Sequence, residues 1–167
     1  FATLVGLVSG HVLPLTIALE LWNIKVDSIL CGNRWLWCTD DVCLRRLDDF
    51  LDRCAQCLLG ADSWRNAWVI RSELGWHVTG SQLAIVDMAC RRARVSALSS
   101  SDVYKRAFDT AEFLECGWAH KSLVLLRIQG LTDFASWCDA GKCYGSYSKH
   151  LMRQLAKRNH AEFLRHA

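Results

Sequence analysis

Proline is nearly missing from this sequence: Pro14 is the only one in 167 residues. A chain with one proline contains neither a proline-rich linker nor a collagen-like segment, since both are built from that residue. Imbalance of charge is also small. Lys and Arg number 20 against 17 for Asp and Glu, an excess too slight to mark a nucleic-acid binder by charge alone and too slight to exclude one. Catalytic signatures are lacking too. There is no glycine-rich phosphate loop, no His-Glu-x-x-His pair and no nucleophile elbow. No Asn-Gly or Asp-Gly step marks a hairpin, and no long period-two alternation marks a strand.

What is present describes a packed chain. Apolar and aromatic residues make up 51% and charged ones 22%, which excludes disorder as the dominant state. The length suits one domain. Eight tryptophans are an unusual load of large apolar side chains, each with an N–H that needs a partner when buried. Nine cysteines are an odd number, without the dense spacing of a disulfide framework. A reducing compartment is the expectation, with free thiols acting as small apolar side chains.

Residues 1–19 carry no Asp, Glu, Lys or Arg. As one helix they would run about 28 Å, close to the thickness of a bilayer core. Trp22 and Lys25 follow, in the places of an interfacial anchor and a flanking charge. Leu4, Val8, Val12, Leu15, Leu19 and Trp22 are therefore the candidate membrane anchor. His11 and Pro14 interrupt the segment, and Gly6 and Gly10 weaken it as a helix. A buried core helix and the remnant of a signal sequence stay open beside the span. The sequence begins at Phe1 rather than Met, which fits a cleaved targeting peptide, a fragment or an incompletely known sequence alike. The division expected is an apolar N-terminal segment, 1–25, and a helical domain, 26–167. Within it, 26–43 reads as a connector. Cys31-Gly32-Asn33-Arg34 forms its turn, Trp35-Leu36-Trp37 an apolar plug, and Thr39, Asp40 and Asp41 are N-cap candidates.

Helices punctuated by glycine follow. Over 41–59, Leu44, Leu47, Leu51, Cys54 and Leu58 recur at spacings of three and four, the stripe of an amphipathic helix, and Gly60 stands at its left-handed end. Asp62 or Ser63 caps a second helix to 74, and Gly75 stops it. Thr79 and Ser81 open a third over 81–94, with Leu83, Val86, Cys90 and Ala93 on one face. Ser99-Ser100-Ser101-Asp102 breaks and recaps the chain for a fourth, 102–116, aligning Val103, Ala107, Ala111 and Leu114 and ending at Gly117. Residues 118–129 read as a buried helix, 133–140 as a short one. Ser148 caps the last, 148–163, with Leu151, Leu155 and Phe163 inward. The fold class is all-α: six or seven short helices packed as antiparallel hairpins, with an apolar N-terminal helix.

Two helix ends look alike: Glu73-Leu74-Gly75-Trp76-His77 and Glu115-Cys116-Gly117-Trp118-Ala119-His120. With this helix-Gly-helix-Gly punctuation, and with Ala107 and Ala111 set to face a neighbouring helix, residues 41–130 resemble the α-hairpin repeat proteins of pentatricopeptide type. The two glycines are 42 positions apart, longer than that family's period, and none of its base-reading positions is carried over.

Cys54 and Cys57 form Cys-x-x-Cys, and Cys38/Cys43 and Cys138/Cys143 each form Cys-x₄-Cys. Zinc would need four thiolates in tetrahedral array. Cys54 and Cys57 fall within a helix instead of on a knuckle turn, so both are read as core thiols. Cys138–Cys143 is the best place for a local disulfide. His77 and His120 lack an evident acid and nucleophile, and His150, His160 and His166 are read as solvated surface. No catalytic residue, metal ligand or cofactor is assigned. Arg91, Arg92 and Arg94 at one helix end, with Lys149, Arg153, Lys157, Arg158 and Arg165 on the last helix, form a candidate basic contact surface.

Taken together, these readings describe a non-catalytic structural or accessory subunit of a large multi-protein assembly. Its expected partners are other protein subunits and, through the anchor, a lipid bilayer, as in a respiratory or ATP-synthesising complex of the mitochondrial inner membrane. The alternative is a soluble helical-hairpin protein contacting RNA, such as a peripheral organellar ribosomal subunit.

Overall fold

The computed structural model describes residues 13–38, 40–61, 66–141 and 144–166, together with Gly6. Among the described residues every regular element is helical. A rod comes first: α1 (Leu15–Leu21), a π-helical segment (Trp22–Asp27) and α2 (Ser28–Trp37). Then follow α3 (Asp41–Leu59), α4 (Ala67–Glu73), α5 (Gly80–Ser96), α6 (Val103–Phe113) and α7 (Gly117–Ile128). The short α8 (Phe134–Asp139) and a 3₁₀ turn (Tyr144–Ser146) lead into α9 (Tyr147–His166). The all-α class holds, with more helices than the six or seven expected.

Local chemistry accounts for most boundaries. Asp40 caps α3, its carboxylate accepting from the Val42 N–H at 2.8 Å, and Gly60 closes α3 at φ 60°. Thr79 and Gln82 form a reciprocal capping box at the start of α5. Asp102 caps α6 and Asp133 caps α8. The cap of α4 is Asn66; Asp62 and Ser63, named for that role, lie outside the described residues. Ser148 falls inside α9, because the 3₁₀ turn lets the helix start at Tyr147.

Two expectations about the N-terminal third are corrected. The connector at 26–43 is largely helix, because the π-helical segment feeds directly into α2 and the supposed Cys31–Arg34 turn winds on as helix. The continuous helix expected over 1–19 does not run through Leu13 and Pro14: α1 starts at Leu15, and proline disfavours helix in the residue before it. Leu4, Val8 and Val12 lie outside the described residues.

The core is organised around α5, which packs against α2, α3, α6, α7 and α9. That is why its buried set is wide, running from Gly80 through Ala84, Ile85, Val86, Met88 and Ala89 to Ala93. At its first residue α5 abuts α3. A Cβ on Gly80 would stand 2.7 Å from Leu51 Cδ1 and 2.8 Å from Leu47 Cγ. On α3 all five stripe residues are buried as read. On α6 the expected face is wrong. Phe108 is the buried residue, while Val103, Ala107 and Leu114 are exposed and Ala111 is half-buried. Phe108 turns inward because Trp118 lies 5.8 Å from its ring and Arg92 stacks over it at 4.9 Å.

Candidate functional site

A cavity of about 370 Å³ opens where the π-helical segment, α3, the α4–α5 turn, α5 and α9 meet. The π-helical segment builds one wall. In an α-helix Trp22 and Asp27 would point about 140° apart. A turn closed by i→i+5 bonds brings them onto the same side, and both line the cavity with Asn23. Trp76, from the turn after α4, faces Trp22 at 5.3 Å between ring centroids, and Phe50 lies 6.4 Å behind Trp22. Leu51, Val78, Leu83, Met152 and Ala156 complete the apolar lining.

The turn that carries Trp76 is fixed at both ends. Gly75 takes φ 72°, and the Trp76 N–H donates to the Arg71 carbonyl at 2.8 Å. Asn159 of α9 donates from Nδ2 to the His77 carbonyl at 2.9 Å and exchanges a pair of 2.8 Å amide hydrogen bonds with Gln82. Asp48 of α3 accepts from the Ser81 N–H at 2.7 Å, so α3 helps cap α5 below the same turn.

Charged groups at the cavity differ in what already holds them. Asp27 accepts from Arg34 Nη1 at 3.0 Å, and Arg34, 3% exposed, also donates from Nε to Asp87 at 2.7 Å. Burial raises the Asp87 carboxyl above its ordinary value, against the opposing pull of Arg34. Arg71 donates to Asp52 at 2.7 Å, and burial likewise raises Asp52, again against its arginine. Arg153, on the cavity rim, is exposed and has no hydrogen-bond or ion-pair partner among the described residues.

The arginines read as one basic surface divide. Arg92 turns inward. It donates to the Ala119 carbonyl at 2.8 Å, to Ser122 Oγ at 3.2 Å and to the Glu112 carboxylate. Arg91 lies over the Trp35 ring at 4.1 Å, and Arg94 donates to the Tyr144 hydroxyl at 2.7 Å. On α9, Arg158 is engaged by Glu162 at 3.0 Å and by the Gln129 carbonyl at 3.1 Å. Lys149, Arg153 and Lys157, four apart on the same helix, are exposed. Of the anchor candidates, Leu15 and Leu19 are half-buried against the core and Trp22 is 3% exposed inside it. These three side chains therefore pack within the protein, Trp22 beside Phe50 of α3 and Trp76.

The thiols and histidines also separate. Cys54 is buried and Cys57 exposed, so only the first is a core thiol; the buried stripe passes from Cys54 to Leu58 and leaves Cys57 outside it. Burial pushes the thiols of Cys38 and Cys54 up to about 12. Cys143 lies outside the described residues, and among those described no group of His, Cys, Asp and Glu is arranged to hold a metal. His150 is not solvated surface: its ring lies 4.3 Å from Trp137, and Nε2 is 3.3 Å from Thr132 Oγ1. His160 is exposed as read. The buried indole N–H groups of Trp35 and Trp118 have no acceptor among the described residues.

The sequence signal for the cavity was Gly75-Trp76-His77, a motif noticed as a helix end. Its other wall was hidden, since nothing in the letters marks Trp22 as lying on a π-helical turn. Fold and geometry thus define an all-α helical domain with a tryptophan-walled cavity and a cationic rim. Comparison with protein-family models, with curated proteins and with solved structures finds no match.

Proposed function

We propose that this chain is a non-catalytic accessory subunit of a larger multi-protein assembly, docking its neighbours along the outer side of the N-terminal rod. The observation that carries this reading is the exposure of Ile17 (44%), Ile24 (62%), Ile29 (77%) and Leu36 (47%). Ile29 to Leu36 is two α-helical turns, and Ile24 lies within the π-helical segment between Ile17 and Ile29, so the four recur along the rod at spacings of seven, five and seven residues. Covering such a side chain contributes about 1.5–3 kcal/mol when burial is complete. A row of large apolar side chains on a soluble surface marks a partner's place.

Attachment to an organelle membrane, as in a respiratory or ATP-synthesising complex, is the finer part of the proposal. Its support is the uncharged composition of residues 1–19. No helix among the described residues is long and apolar enough to cross a membrane. The test is native purification of the assembly with wild-type chain and with the double variant Ile24→Glu, Ile29→Glu. Loss of stoichiometric partners from a variant with an unchanged far-UV spectrum is expected, and an unchanged set overturns the reading. A second reading, contact with RNA, is favoured by the exposed row Lys149, Arg153 and Lys157 on α9. Salt-dependent sedimentation with RNA, lost when all three become glutamine, distinguishes it.

A further inference from the structure

We propose that the cavity at the α4–α5 turn binds a small amphipathic monocarboxylate, its apolar body against the wall formed by the Trp22–Trp76 pair and its carboxylate at Arg153. This goes beyond the docking role above and depends on different residues. The cavity's volume, about 370 Å³, lies at the small end of the roughly 300–1,000 Å³ usual for ligand pockets. Its walls are mainly aromatic and aliphatic, and its polar groups are few, as in sites that bury an apolar body and orient it by one end.

The sign of the headgroup follows from which charges are engaged. Among the described residues Asp27 is the one carboxylate on the lining, and it is held by Arg34 at 3.0 Å. A cationic ligand would compete with that buried guanidinium. Arg71 is held by Asp52 at 2.7 Å. Arg153 alone brings a full charge to the rim with no partner among the described residues, and Asn23 and His77 stand on the same lining. A neutral ligand would leave Arg153 as it is. A carboxylate gains a charge-assisted hydrogen bond, the strong kind. The amide clasp of Asn159 on the His77 carbonyl, 2.9 Å, holds the Trp76 wall in place before any ligand arrives, which limits the ordering needed on binding.

Calorimetric titration of the full chain with decanoate, decan-1-ol and decyltrimethylammonium tests this. Saturable one-to-one binding of decanoate is expected, at least about tenfold tighter than the alcohol, with none of the cation. Arg153→Gln, at an exposed position, should bring decanoate to the alcohol's affinity while leaving the unfolding temperature unchanged. Lys157→Gln, an exposed cation off the cavity lining, should leave binding intact. Ala156→Trp, which fills the cavity, should abolish binding with the helical spectrum retained. Equal affinity for decanoate and decanol, no effect of Arg153→Gln, or binding that survives Ala156→Trp each overturns the proposal. So does an absence of decanoate binding. If Ala156→Trp fails to fold, the Arg153→Gln titration with the acid and the alcohol decides alone.

Discussion

The turn at Gly75 and the turn at Gly117 are built from nearly the same letters, and the fold uses them in opposite senses. Gly75 ends a helix: it takes φ 72° directly after α4, and Trp76 swings out into the turn to form the cavity wall. Gly117 begins one. Glu115, at φ 53°, ends α6, and Gly117, the first residue of α7, is left-handed as well, at φ 63°. Trp118 therefore sits inside a helix, edge-on to Trp35 at 5.4 Å. The clasps differ as well. Neutral amides of Asn159 and Gln82 hold the first turn. The second is held by a guanidinium, Arg92, reaching Glu112 on α6 and the Ala119 carbonyl on α7. Both glycines are left-handed, so their conformation alone does not distinguish the two turns. What differs is where the next helix starts, and so whether the tryptophan lies in the turn or in the helix.

Breaking the charged clasp should cost most. Arg92→Met leaves the half-buried Glu112 carboxylate without its guanidinium and takes one of two donors from the Ala119 carbonyl, and should lower unfolding free energy by about 3 kcal/mol, the low end for a charge pair that loses one member. A loss near zero in urea unfolding would mean that the second turn is held by its aromatic contacts instead. Next comes the floor of the first turn. Gly80→Ala drives a methyl into Leu47 and Leu51, and overpacking of this kind costs about 1–3 kcal/mol. Thermal unfolding with no shift would show that α3 and α5 can separate freely there.

The neutral clasp should be weaker than the charged one. Asn159→Ala removes hydrogen bonds worth about 1 kcal/mol net, and the ratio of the Arg92 and Asn159 losses measures the contrast directly. The left-handed positions give a mirrored pair. Gly75→Ala should lose about 1 kcal/mol, and Glu115→Gly should gain up to about 1 kcal/mol, because a side chain is strained at positive φ. Denaturation midpoints moving the same way in both would erase the distinction between the turns. The smallest effect is one of pH. Asp52, which holds Arg71 under the first turn, has its carboxyl raised above 3.8 by burial. The folded chain then keeps that proton longer than the unfolded one. Stability should fall as pH climbs from 3.8 through the raised value, and Asp52→Asn should flatten the fall in melting curves taken across that range.

The sequence by itself determined the helices that carry their own caps and stripes. Asp40 to Gly60 encloses α3, and its stripe from Leu44 to Leu58 is buried as read. Thr79 with Gln82, and Asp102, mark their helix starts through hydrogen bonds to residues two or three positions away. Such interactions are local, so the order of the residues is enough to reveal them. Tertiary structure alone decided what depends on a distant partner. It turned Phe108 inward to meet Trp118 and Arg92, drew Arg92 away from solvent, and left Cys57 outside where Cys54 is buried. It also wound Trp22–Asp27 as a π-helix, which set Trp22 against Trp76 and made the cavity. The physical reason is the same in each case. A side chain's direction is set by the surface it must fill, and that surface is supplied by residues far away in the chain.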